Sequence, residues 1–474
     1  MKRYGRVFYY RVLHMHRIVI TDADAIKHVM VSKAKNYPRS PLVRTLFKVL
    51  NQAVLYIPTV EKKLGGGDTL VTTEGSAHAA LRKLFNPHFG QANVKTMLHV
   101  FQHHTDVFME QLAIDQPLDL KNRTRQRGPH PFSCDLVFTQ VALDMIGVAA
   151  FGYDFESLRN KNPREIQAFH DNNLTPSLFG VIGFALVPFY EYLPLASNRR
   201  RAEAQSVLQS LIDRVLQQKL IALETSTAGS APKDILDLIL AQASDMPMAD
   251  IRALLLMFMF AGHETTDNTL AWVVSFVAQH PTVAAKVHDE CLRMRCDGND
   301  KVPTWEQLGH LSYLSAVIHE TLRLRPTVPE TSRHAAEADT LPLGDGSSVG
   351  IPKGADIFLD IIAIHRNPTY WSQPNEFLPE RFIEGTDVYE ADLALRGGKP
   401  NTFCYFPFSV GDKNCIGSRF AMAEMLVVLS TLFSTYSVAL TPAANLNVRK
   451  DTVAIAPVYL EVTLSPLPTR APFV

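Results

Sequence analysis

The chain has 474 residues, 46% of them hydrophobic, enough to bury a large core. Lysine plus arginine and aspartate plus glutamate balance at 47 each, so net charge gives no sign of nucleic-acid binding. The five cysteines (Cys134, Cys291, Cys296, Cys404, Cys415) are odd in number and lack a disulfide-framework spacing, which points to a reducing compartment.

Length alone would accommodate about three domains. No linker rich in Gly, Ser or Pro divides the chain, so 1–474 reads as one domain with loose ends at 1–5 and 468–474. Met1–Ile20 is broken by Arg6, Arg11, His14 and Arg17 and is neither a signal segment nor a membrane helix. Alternation predicts two short strands, Arg6–Leu13 and His16–Ile20. Asp22 or Asp24 then caps a helix that runs to about Ser32.

Leu64–Leu70 is glycine-rich but lacks the Gly-Lys-Ser/Thr ending of a phosphate loop, and reads as a flexible loop. The helix after it carries His78 and Arg82 on one face, four residues apart. Residues 121–133 are basic, aperiodic and contain Gly-Pro and His-Pro, so they form a loop, either a solvated insertion or a docking patch. Leu143–Phe151 ends a buried helix. Leu178–Tyr190 is apolar but too short to span a bilayer, and Arg199, Arg200 and Arg201 follow it as a solvated run or a match for lipid headgroups. Thr225–Pro232 is a small-polar loop. Cys291-x4-Cys296 has no second ligand pair and is a weak zinc pattern.

A long helix is expected from Ile251 to about Gln279, preceded by Asp250 or Asp245. Residues 253–260 are apolar on all sides, so it crosses the core. Ala261-Gly-His-Glu-Thr-Thr266 then interrupts it with polar groups. Thr265 can bond back to the carbonyl of Ala261 and loosen the ladder, and Gly262 opens space on the same turn, which makes a polar notch. Glu320-Thr-Leu-Arg323 puts opposite charges on one helical face, and Pro379-Glu-Arg-Phe382 follows later.

Near the C-terminus, Cys415 stands between Gly411 and Gly417, just before an apolar-periodic helix. Helix-terminal N–H groups there favour a thiolate, and the glycines let the backbone turn close to the sulfur. Such a thiolate serves as a nucleophile, a zinc ligand or an axial ligand to haem iron.

The string from Phe408 to Gly417, Phe-x-x-Gly-x-basic-x-Cys-x-Gly, resembles the haem-binding signature of the cytochrome P450 family. The Ala261–Thr266 string, the Glu320–Arg323 pair and the Pro379–Phe382 string resemble the family's other motifs, in order. The resemblance implies a mainly α fold with small β-sheets. It implies a monooxygenase, of eukaryotic microsomal type, acting on a lipophilic small molecule. The cofactor would be haem b, with Cys415 as proximal thiolate and Phe408 beside the sulfur. Lys413, where the family more often has Arg, would reach a propionate, as would His78, Arg82 and Arg333. Thr265 and Glu264 would deliver the protons that O–O cleavage needs. Glu320, Arg323 and Arg381 would form a buried ion network.

Electrons would come from NADPH through a separate reductase, with cytochrome b5 as a further partner. Residues 178–190 would be the substrate-access lid, and Asp451–Pro457 a turn entering the pocket. The family's membrane anchor and hinge are not found before the first strand, so the chain reads as N-terminally short. Its expected place is the cytosolic face of the endoplasmic reticulum, with peripheral membrane contact. The same fold also hosts reductase-independent isomerases and dehydratases, and a non-catalytic haem-binding protein is the third reading.

Overall fold

The computed structural model describes residues 5–12, 15–41, 43–44, 67–112, 117–119, 137–159, 163–172, 193–225, 234–242, 246–297, 302–450 and 453–467. The expected loops at 121–133 and 226–232, the lid at 178–190 and the start of the turn at 451–452 lie outside them.

The helices are α1 (Ala23–Lys27), α2 (Gly75–Phe85), α3 (Gln91–Glu110), α4 (Val137–Phe151), α5 (Pro163–Asn172), α6 (Ala196–Thr225) and α7 (Ile235–Gln242). They continue as α8 (Met248–Gln279), α9 (Pro281–Asp297), α10 (Trp305–Gly309), α11 (Ser312–Leu324), α12 (Ile361–His365), α13 (Asp387–Leu395) and α14 (Ser418–Phe433). The small sheets are separate. β1 (Val7–Val12), β2 (Met15–Ile20), β4 (Glu330–His334) and β7 (Asp356–Asp360) form one, in the order β1-β2-β7-β4. The others pair β5 (Asp339–Pro342) with β6 (Ser348–Ile351), β9 (Asn445–Lys450) with β10 (Ile455–Tyr459), and β11 (Glu461–Pro466) with both β3 (Pro117–Asp119) and β8 (Tyr436–Leu440).

Asp22 caps α1, accepting the N–H groups of Asp24 at 3.0 Å and Ala25 at 3.2 Å. The helix then widens to π geometry over His28–Ser32, so the expected end at Ser32 holds but the ladder changes. β1 and β2 match the alternation, and β2 runs parallel to β7, which ties the first strands to the second half of the chain.

α8 is the buried axis. It packs on α4, α11 and α14. Ala253 to Met259 are all buried, as all-round apolarity requires. The helix starts earlier than expected, at Met248, after Pro247, whose extended backbone makes the cap. Asp250 lies inside the first turn and accepts the N–H of Asp68 at 2.8 Å, and Asp245 falls outside the described residues. Two apolar clusters form the core, one among the helices and one between the four-stranded sheet and the α1 segment.

Candidate active site

The cysteine loop is built from short backbone bonds. Ser409 takes φ +60 and Gly411 φ +82, and the turn Gly411–Lys413 follows. Cys415 donates its N–H to the Phe408 carbonyl at 2.8 Å, which closes the loop. A Cβ on Gly411 would stand 2.2 Å from the Met30 carbonyl oxygen, so only glycine fits. Gly417 differs. It is the N-cap of α14, with φ −85, and a Cβ there would meet Phe89 only at 3.9 Å. The ring of Phe408 lines a cavity of about 550 Å³ with Trp305, Met422 and Leu426.

The Cys415 side chain is accessible, yet burial raises its thiol pKa, so it faces an internal space. The N–H of Gly417 and the charge of Arg82 act in the other direction and do not win. The expected bias toward thiolate is therefore corrected: desolvation outweighs one N–H and one guanidinium. A metal ion at the sulfur would reverse this, because a coordinated thiol is deprotonated outright.

The four side chains assigned to propionates do assemble, together with Arg39 and Glu74, which the sequence did not reveal. Lys413 Nζ lies 3.1 Å from Glu74 Oε2 and 3.5 Å from Asp412 Oδ2. Arg39 Nη1 lies 3.2 Å from Glu74 Oε1. Arg82 donates to the Asn414 carbonyl at 2.8 Å and its Oδ1 at 2.9 Å. Arg333 is buried on β4, donates to the Ser332 carbonyl at 2.8 Å, and has its pKa lowered to about 10 by burial and then by Arg39. His78 is buried and neutral, its pKa lowered to about 4 by burial and by the charges of Arg39 and Lys413.

Cations (Arg39, Arg44, Arg82, Arg333 and Lys413) thus outnumber the carboxylates Glu74 and Asp412 among the described residues of this cluster. The positive surplus lies beside an accessible thiol. That fits haem, which brings carboxylates and an iron that takes a thiolate.

On α8, Thr265 donates to the Ala261 carbonyl at 2.8 Å, Thr266 to that of Gly262 at 3.1 Å and His263 Nδ1 to that of Met259 at 2.6 Å. The expected loosening does not occur, and helical geometry runs unbroken through these residues. Side-chain bonds to i−4 carbonyls add to the backbone ladder here without displacing it. Gly262 opens no space either. A Cβ there would lie 2.7 Å from Ile146 Cγ1, so the glycine lets α4 approach closely. The open strip is made by Ala261, which is exposed, and Thr265, one turn on and half-buried. Glu264 is half-buried beside them.

Glu424 on α14 is a group that no sequence signal marked. It is 1% exposed, and neither carboxylate oxygen has a hydrogen-bond partner. Burial drives its pKa well above the carboxylate range, with the Thr266 hydroxyl beside it acting the other way.

The ion network is fully buried. Arg323 grips Glu320 with two bonds, at 2.6 and 2.8 Å, and Arg381 Nε reaches Glu320 Oε1 at 3.2 Å. Asp392 joins as a fourth member through Arg381 Nη1, a partner eleven residues away that no motif marked. Arg323, Arg381 and Arg396 all stand over the ring of Trp371. Of the other cysteines, Cys291 and Cys404 are buried with raised thiol pKa values, that of Cys404 to about 12.

A model of the cytochrome P450 family matches residues 1–462. Cytochrome P450 monooxygenase claP of Ampulloclitocybe clavipes is 30% identical over 90% of this chain and 78% of its own length. Cytochrome P450 monooxygenase 205 of Postia placenta is 28% identical over 96% of this chain and 83% of its own. Chloroplastic cytochrome P450 97B2 of Glycine max is 26% identical over 89% and 74%.

Proposed function

The chain belongs to the cytochrome P450 family of haem-thiolate monooxygenases, and from that premise we propose that it inserts one oxygen atom of O2 into a lipophilic small molecule, using NADPH electrons passed on by a separate reductase. Cytochrome b5 is a second electron donor in this reading. The protein works at the cytosolic face of the endoplasmic reticulum through peripheral contact, and 1–474 acts as one domain. Among the described residues no helix is long and apolar enough to cross a membrane.

The observation that carries the reading is the accessible Cys415 thiol beside a surplus of desolvated cations. Bound haem would supply the redox centre at which dioxygen is activated. Cys415 would ligate its iron. Arg82, Arg333, Lys413 and Arg39 would hold its carboxylates, with neutral His78 among them. Phe408 and Gly411 shape the loop that aims the sulfur.

On α8, the Thr265 hydroxyl donates to Ala261 and keeps two lone pairs free to accept. Turning its O–H away from Ala261, it can hand that proton forward while its oxygen takes another, with Glu264 as the proton source. The apolar run 253–260 keeps water away from the rest of that helix and suits a lipophilic substrate. A carbon-monoxide difference spectrum of the reduced protein tests haem and thiolate together. Turnover of a hydroxylatable substrate with and without added reductase tests the electron supply. Oxygenation that needs no reductase would overturn that part.

A further inference from the structure

Away from the haem-binding elements, three side chains converge where α3 crosses α4. His104 on α3, Asp144 on α4 and Asp154 in the following turn place their ligating atoms all within 4.8 Å of one another. The backbone shows why. α4 ends at Gly152, with φ +63, and Glu156 takes φ +48, so the chain folds back sharply. Tyr153 returns its N–H to the Gly147 carbonyl at 3.1 Å. Gly147 leaves room for the Phe155 ring, which would lie 2.5 Å from a Cβ. Asp144 pins the fold-back by accepting the N–H groups of Ser157 at 2.8 Å and Leu158 at 3.0 Å. Asp154 is thereby carried over to His104.

The charges acting on Asp144 are one-sided, while His104 feels both Asp154 and Arg159. Asp144 is 1% exposed, and burial pushes its pKa up to about 6 against the pull of its two N–H donors. Asp154 adds repulsion, and no cation stands among the groups that act most on Asp144. His104 is 4% exposed and neutral, its pKa lowered to about 4 by burial. Ser157 is fully buried beside Asp144, and its Oγ makes no well-formed hydrogen bond there. A buried hydroxyl left in this way is costly unless something fills the place beside it.

We propose that His104, Asp144 and Asp154 form a binding site for a divalent transition-metal ion, with zinc the best match, that staples α3, α4 and the 152–158 turn together. One neutral imidazole and two carboxylates are a zinc donor set, with water or Ser157 Oγ left for the fourth position. Bonds of about 2 Å draw neighbouring donors to about 3.5 Å apart, a closure that the exposed Asp154 side chain supplies. The carboxylate oxygens of Asp144 keep their backbone bonds, because each has a second lone pair. The site is separate from the haem and does not depend on the reading of its chemistry. It bears on the same scaffold, since α3 packs on α14 and α4 on α8.

The test uses the haem-loaded chain, stripped with a chelator and titrated with zinc chloride by calorimetry, with thermal unfolding in parallel. One saturable site and a raised unfolding temperature are expected. Asp154→Asn, an exposed change that leaves the fold intact, should weaken binding at least about tenfold, the loss that even outer-shell partners of a metal bring. His104→Gln should do the same. His99 and His103 are exposed four residues apart on α3 and could chelate zinc on the surface. His99→Ala should therefore leave the saturable site unchanged. No saturable binding, binding unchanged in Asp154→Asn, or binding lost in His99→Ala would each overturn the proposal.

Discussion

Phe406 donates its backbone N–H to His365 Nε2 at 2.9 Å, and this bond joins the buried ion network to the cysteine loop. The His365 carbonyl accepts from Arg323 at 2.9 Å, and Arg323 holds Glu320. Phe406 is followed two residues later by Phe408, whose carbonyl closes the loop on Cys415. The network and the loop that places the sulfur are thus joined through one histidine.

Glu320→Ala, Arg323→Ala and Asp392→Ala are each expected to yield protein with little haem. Each orphans a buried charge, at a cost of about 3–5 kcal/mol. The ratio of haem to protein and the urea midpoint measure this. Fully loaded but slow enzyme would move the network from folding to catalysis.

Stability should fall as pH drops below about 6.5. His365 is held neutral by burial with its pKa at about 3, and His319 likewise at about 4. Unfolded histidines titrate near pH 6.5. Below that the unfolded chain takes up protons that the folded one refuses, until the folded pKa is reached. The contribution is therefore full above about 6.5 and lost toward about 4. His78, His88 and His104 add to it, while Asp144 and Glu424, raised by burial, oppose it. Urea midpoints at steps of about one pH unit check the slope, and a flat or rising profile would contradict it.

Gly411→Ala and Gly417→Ala should part company. At Gly411 an alanine meets both φ +82 and the Met30 carbonyl, so a loss of about 1–3 kcal/mol from strain alone is expected, with lowered haem loading. At Gly417 the cost should be about 1 kcal/mol or less, that of a poorer N-cap. Equal losses would mean that the approach to Met30 does not constrain the loop.

Cys415→Ser should remove the thiolate-type carbon-monoxide band and all oxygenation, since an alcohol is a poor anionic ligand near neutral pH. Cys404 is no substitute: it is buried, and its Sγ lies 3.3 Å from the Asn401 carbonyl. A band retained in the variant would place the ligand elsewhere.

Thr265→Ala should separate electron use from product. Haem binding and the thiolate spectrum should persist, while hydroxylated product falls, hydrogen peroxide rises and NADPH consumption continues. A positioned proton donor is worth about 10²–10⁴-fold. All three rates in one assay give the answer. An unchanged ratio of product to NADPH would leave Thr265 as a helix-bonding residue only.

The parts of this protein that depend on local order were legible in the chain itself. Alternation placed β1 and β2, all-round apolarity placed α8, and short helical spacing gave the Thr265–Ala261 and Glu320–Arg323 bonds, because each is set by neighbours a few residues away. What long-range packing decides was not legible. Arg39 and Glu74 meet Lys413 only because separate turns are brought together, and Asp392 enters the ion network from a helix that carries no motif. Glu424 looked like any polar residue of an apolar helix until α8 covered it. The two glycines at Gly411 and Gly417 looked alike, and the left-handed backbone at Gly411 and its approach to the Met30 carbonyl distinguish them. A charge or a glycine shows its residue type in sequence, whereas its desolvation and its neighbours exist only once distant segments pack, and those two quantities set its energy.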